Sequence, residues 1–170
     1  MRIYEGSPRQ DFEEVFRSIG AHLDEIGMRE ILLLEIEDGF IVQGLSIEGA
    51  SGTWSDAIGQ VRKVTMTLRD EELSEYMDQA VARRGEGRAG EPDNYQSALR
   101  VIGRYLDEGH PRDVFFFEQE GSYVLRILRV DQTGTHHELI EFTRDDIAQM
   151  IAGGPVLRSS TNPRAGSSPS

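Results

Sequence analysis

The chain has 170 residues, 38% of them hydrophobic and 28% charged, with a net charge of −12 and no cysteine. This is the composition of a globular chain of one ordinary domain or two small halves, and it excludes disulfides, thiolate metal sites and a cysteine nucleophile. Acid exceeds base in both halves, 17 against 9 in residues 1–84 and 13 against 9 in 85–170, so neither half offers the concentrated Lys and Arg that nucleic acid requires.

The N-terminus, Met1-Arg2-Ile3-Tyr4-Glu5, has no apolar signal core, and the longest apolar runs are Ile31–Leu34 and Val114–Phe117. A cytoplasmic chain without a membrane span is expected. Ser7, Pro8 and Gln10 form a helix start with the elements of a capping box. Phe12, Val15, Phe16, Ile19, Leu23 and Ile26 then recur three or four apart, which predicts an amphipathic helix closed by Gly27. Arg29–Glu37 reads as a strand, Asp38-Gly39 as a two-residue turn, and Phe40–Ile47 as the returning strand. Alternation divides this hairpin into two faces, Leu32, Leu34, Ile36, Ile41, Leu45 and Ile47 on one, and Ile31, Leu33, Glu35, Glu37, Phe40 and Val42 on the other. A polar, glycine-rich loop, 48–60, holds the only tryptophan, Trp54. A third strand runs from about Val61 to Leu68, and Asp70 is placed to cap a second helix carrying Leu73, Tyr76 and Met77 inward.

Residues 85–92 have the composition of a flexible linker. The same order then returns: a helix capped by Asp93 or a neighbour, with Tyr95, Leu99, Ile102 and Leu106 inward; a strand 113–120; a turn at Gly121-Ser122; a returning strand 123–130; a third strand 136–142; and a helix opened by Thr143–Asp146. The return is visible in the letters as well. Phe12–Leu45 aligns without a gap on Tyr95–Leu128, 83 residues on, with ten identities in 34 positions, where about two would arise by chance. The identities are Arg17, Ile19, Gly20, Leu23, Asp24, Glu25, Arg29, Glu35, Glu37 and Leu45 with their partners. Residues 158–170 are Ser, Pro and Gly rich and are expected to be disordered.

The reading is an α+β chain built by tandem duplication of an αβββα unit. Each unit is an antiparallel three-stranded meander with its helices on one face, and the two are related by a pseudo-two-fold. Residues 1–84 form the first repeat, 85–92 the linker and 93–157 the second repeat. In architecture this is similar to saddle-like tandem proteins of the TATA-binding type and to small α+β chaperones, with no motif of either to carry over site residues.

No catalytic set, cofactor fingerprint or spaced metal motif emerges. Glu35 and Glu37, matched by Glu118 and Glu120, are paired carboxylates beside turns, and their recurrence fits scaffold better than one active site. His136 and His137 are neighbours on a strand and point to opposite faces, leaving Glu138 beside His136 as a weak two-ligand set. The glycine-rich 48–60 loop lacks the Gly-Lys-Ser/Thr ending of a phosphate loop. The most informative feature is the second hairpin face: Ile31, Leu33, Phe40 and Val42 in the first repeat, Val114, Phe116, Tyr123, Leu125 and Ile127 in the second. With the helices on the other face these residues are left wet, although they are largely apolar. Either the rest of the fold covers them, or with Trp54 they form a surface for a second copy or a protein partner. The chain is thus expected to be a non-enzymatic interaction module without a cofactor. The alternative is a small-molecule site between the repeats, roofed by the 48–60 loop, with Asp56, Arg126 and His136 converging near Trp54.

Overall fold

The computed structural model describes residues 12–47, 61–82, 94–109 and 111–153. In chain order they form α1 (Phe12–Glu25), β1 (Arg29–Ile36), β2 (Gly39–Ile47), β3 (Val61–Arg69), α2 (Asp70–Ala82), α3 (Tyr95–Gly109), β4 (Arg112–Gln119), β5 (Ser122–Asp131), β6 (Gly134–Thr143) and α4 (Arg144–Ile151). The fold is α+β, with one six-stranded antiparallel sheet of order β3-β2-β1-β4-β5-β6. The two meanders therefore meet edge to edge through β1 and β4. Joining them removes two of the four sheet edges that separate meanders would leave open.

That seam is short. Leu32, Leu33 and Leu34 pair with Phe117, Phe116 and Phe115, so Leu33 lies opposite Phe116, its counterpart 83 residues on. Other contacts across the middle are also made twice with their partners exchanged. The Asp24 carboxylate, at the end of α1, accepts the N–H groups of Tyr95 and Gln96 at 2.9 and 3.0 Å. The Asp107 carboxylate, near the end of α3, accepts those of Phe12 and Glu13 at 2.8 and 3.0 Å. Each antiparallel helix thus satisfies the free donors at the start of the other, where the helix dipole also favours negative charge. Between the clasps the helices touch at Gly20 and Gly103. A Cβ built on Gly20 would lie 2.4 Å from the Tyr95 carbonyl oxygen, and one on Gly103 would lie 2.3 Å from that of Phe12.

The helices end and begin where local chemistry dictates. Gly27 (φ 68) closes α1, and the Met28 N–H returns to the Leu23 carbonyl at 3.0 Å while its side chain is fully buried, a glycine-terminated cap with its apolar contact. Asn94 caps α3, its side-chain oxygen accepting from the Ser97 N–H at 2.8 Å. Thr143 caps α4 in a complete capping box with Asp146. The matching end of α2 differs from expectation. Its helix begins at Asp70, and the Arg69 N–H donates to Glu72 at 3.0 Å. The cap position is thus Arg69, which has no acceptor to offer, and only half the box forms.

Both hairpin turns lie one residue earlier than predicted. Ile36 pairs with Gly39 and Gln119 with Ser122, leaving Glu37-Asp38 and Glu120-Gly121 as the turns. In the second, Glu120 (φ 32) and Gly121 (φ 86) supply the two positive φ values of a primed hairpin turn. In the first, Gly39 belongs to the strand because a Cβ there would lie 2.0 Å from the Leu68 carbonyl oxygen of β3. The slip moves each pairing by two residues, so every side chain keeps its face. Both first strands also bulge near their starts, at Glu30 and Asp113, each with φ 51.

The core lies between the sheet and the four helices. Phe12 and Phe16 of α1 stand edge-on to one another, and Phe16 stands edge-on to Phe40 of β2 at 5.6 Å. Tyr105 of α3 meets Phe142 of β6 at 5.5 Å. Leu33, Val42, Val114, Phe116 and Leu125 are all 0% exposed within the same cluster. The helices therefore cover the face that carries Leu33 and Phe116.

Candidate functional site

The nine hairpin residues singled out from sequence come together, but as the core under the helices. Ile31, Leu33, Phe40, Val42, Val114, Phe116, Tyr123, Leu125 and Ile127 are all buried, none above 9% exposure. They line the covered face and present no surface to a partner. Trp54, Asp56 and the 48–60 loop lie outside the described residues, as do the helix start at Ser7, the 85–92 linker and the tail.

The signal that identifies the covered face is in the third strands. Phe40 pairs with Leu68 and Val42 with Met66, while the opposite parity sets Ile41 against Thr67, Gln43 against Thr65 and Leu45 against Lys63. At the other edge Tyr123 and Leu125 pair with Phe142 and Ile140, whereas Val124 pairs with Glu141. In β1 and β2 both faces are apolar, so those strands alone leave the choice open. Of the edge strands β3 alternates cleanly from Lys63 on, as half-solvated strands do, and β6 does so at Glu141 and Phe142 but not at Leu139.

The opposite face of the sheet is covered by no described element. Its middle rows run Ile41, Leu34, Phe115, Arg126, Leu139 and Gln43, Leu32, Phe117, Val124, Glu141 across β2, β1, β4, β5 and β6. Leu32, Leu34, Ile36, Ile41, Leu45, Phe115, Phe117 and Leu128 are half-buried, and Leu139 is 69% exposed. Apolar side chains thus continue across five strands where polar alternation is the norm. The ionisable groups on the strands of this face are few: Lys63, Arg69, Arg126 and His137 against Glu141, with Glu30 lining its hollow. The face thus carries no excess of acid, on a chain of net charge −12.

The two sides of this face differ in relief. Phe115 and Phe117 lie with ring centroids 5.7 Å apart, and the Arg126 guanidinium sits over the Phe115 ring at 5.1 Å, a cation–π pair that makes a raised ridge. The place of Arg126 is taken in the first half by the shorter Gln43, 83 residues earlier, whose amide donates to Thr65 Oγ1 at 3.0 Å. There the surface sinks into a hollow of about 470 Å³. Leu32, Leu45 and Phe117 are among its apolar lining, with Glu30, Glu118, Gln43 and Lys63 contributing polar groups.

The other sequence candidates are committed to structure. Arg129 pairs with Glu138 and donates to the Gly109 carbonyl at 3.0 Å. His136 meets Asp131 and Thr133 at the β5–β6 turn, where hydrogen bonds from Thr133 hold the Asp131 carboxyl below its ordinary range. Among the described residues no three His, Asp or Glu side chains are placed to hold a metal ion. His136 lies on the parity of Ile140 and Phe142, and Arg126 on the opposite face, so these two do not converge. Glu35 does not form a reactive pair with the exposed Glu37; it is half-buried, and burial pushes its carboxyl above the usual range. Burial, reinforced by neighbouring Glu118, likewise raises the Tyr95 phenol.

The reciprocal clasp was not anticipated. The identity of Asp24 and Asp107 in the two repeats was its signal. Burial pushes the Asp24 carboxyl up, against the pull of Arg29, and the hydrogen-bond partners are helix N–H groups 71 to 95 residues away. No helix among the described residues is long and apolar enough to cross a membrane. No protein-family model, curated protein or solved structure matches the chain.

Proposed function

We propose that the chain is a non-enzymatic interaction module that docks protein through its open sheet face. The observation that supports this most is the apolar run of that face, from Ile41 through Leu34 to Phe115, with Leu139 exposed beyond Arg126. A face of this kind in water costs about 25 cal/mol for each Å² of apolar surface left uncovered, which favours association. Because the face carries no excess of acid, an acidic partner approaches it without the repulsion that the rest of the chain imposes.

Carbene footprinting tests the reading. Leu32, Leu34, Phe115 and Phe117 are expected to label in the dilute purified chain and to be protected in a cell extract of its source, while exposed helix positions label equally in both. Equal labelling of the sheet face in both conditions would overturn it.

The hollow beside Gln43 favours a second reading, a small apolar ligand held between the halves. It predicts that a fragment mixture shifts the amide resonances of Leu32, Gly44 and Phe117 in the purified chain. Spectra that stay unchanged at millimolar fragment would remove it.

A further inference from the structure

We propose that the occupant of the open face is a second copy of this chain, in an isologous pair in which the Phe115–Arg126 ridge of each copy enters the Gln43 hollow of the other. The inference rests on the docking reading and names its partner.

Three observations carry it. The first is self-complementary shape. A two-fold interface needs a surface that bears both a feature and its complement, because residue i of one copy meets j of the other and j meets i. The ridge and the hollow lie side by side on the same face, with Phe115 and Phe117 as the wall between them. A two-fold axis in the interface plane, perpendicular to the line joining them, sets each ridge over the other copy's hollow.

The second is charge. The ridge is tipped by the exposed Arg126 guanidinium. The hollow offers the exposed carboxylate of Glu30 above an apolar floor that includes Leu32 and Leu45. An arginine is suited to this, since its planar group pairs with carboxylate while its stem packs on apolar surface.

The third is area. Six strands of eight to ten residues, about 4.8 Å apart and rising about 3.3 Å per residue, cover roughly 750–950 Å² in projection. Two such faces together bury on the order of 1,500 Å², the size of a standard specific pair.

Sedimentation velocity on the full chain tests the proposal at concentrations up to about 100 μM. The wild type is expected at twice the 19.1 kDa of one chain. Arg126→Glu and Glu30→Arg, both at exposed positions, are each expected to weaken the pair by about tenfold or more, and the double variant to recover most of the loss. Gln43→Arg places in the first half the residue that tops the ridge in the second. It is expected to fill the hollow and dissociate the pair, with the circular dichroism spectrum unchanged.

A wild type that sediments as one chain throughout this range overturns the proposal. A pair that survives all three single variants, or that the double variant does not restore, overturns it as well. The docking reading fails separately, when the footprint of the sheet face is the same in extract and in buffer.

Discussion

Asp24 and Asp107 show how much of this fold rests on single side chains. Each carboxylate satisfies two N–H groups at the start of the neighbouring helix. Asp24→Ala and Asp107→Ala are therefore each expected to lower stability by about 1 kcal/mol, the usual cost of losing a helix cap, read from urea unfolding midpoints at constant slope. Glu35 acts in the opposite sense. Burial raises its carboxyl above the ordinary value of 4.5, so the folded chain holds this proton more tightly than the unfolded chain does. Its contribution to stability is then largest below the unfolded value and declines as pH rises through the folded one. Glu35→Gln is expected to flatten that decline between pH 4 and 7 and to leave the chain more stable than wild type at pH 7, as measured by urea unfolding across the range. Both roles were half visible in sequence. The recurrence of Asp24 and Glu35 marked them as scaffold, but their partners lie on other elements, and periodicity within one element carries no information about those.

Among the elements, the ends of α2 and α4 make an internal comparison. Thr143 completes a capping box and Arg69, in the matching place, does not. Arg69→Thr is expected to stabilise the chain by about 0.5–1 kcal/mol, because the exposed pair with Asp38 that it gives up is worth little. Thermal unfolding at fixed protein concentration reads the shift. The α1–α3 crossing is the opposite case, with no room for improvement. Gly20→Ala or Gly103→Ala drives a methyl group into the backbone of the facing helix and is expected to cost about 1–3 kcal/mol, in the range of overpacked cores. Helices, strands and their order were legible in the chain because spacing and alternation are local. Turn positions were less so: Asp38-Gly39 is a strong turn signal, yet Gly39 is required in β2 by the close approach of β3, a demand that the hairpin itself does not contain.

At the scale of the whole molecule the halves are interdependent. They share the β1–β4 seam, the α1–α3 crossing and both aspartate clasps. Residues 1–84 and 85–170 expressed separately are each expected to lack a cooperative thermal transition, and mixing them to restore one. A sharp transition in either half alone would show that the seam is dispensable. The same arrangement explains the open face: the four described helices lie on one surface of the six-stranded sheet, and no described element lies on the other.

The sequence by itself determined the elements, their doubled order and the division of each hairpin into two faces, because these follow from backbone periodicity and from parity, which even the slipped turns preserve. Which face is covered was decided only in the tertiary structure. Leu32 and Leu34 are as apolar as Ile31 and Leu33, so β1 is compatible with either choice. The choice is made where β3 and β6 set Leu68, Met66, Ile140 and Phe142 beside one face and Lys63, Thr65, Thr67 and Glu141 beside the other. Thirteen residues separate β2 from β3, and a connection of that length fixes no register. The hydrophobic effect then acts on the assembled sheet, covering the face that Leu68, Met66, Ile140 and Phe142 complete and leaving uncovered the one whose edges, Leu139 apart, are polar.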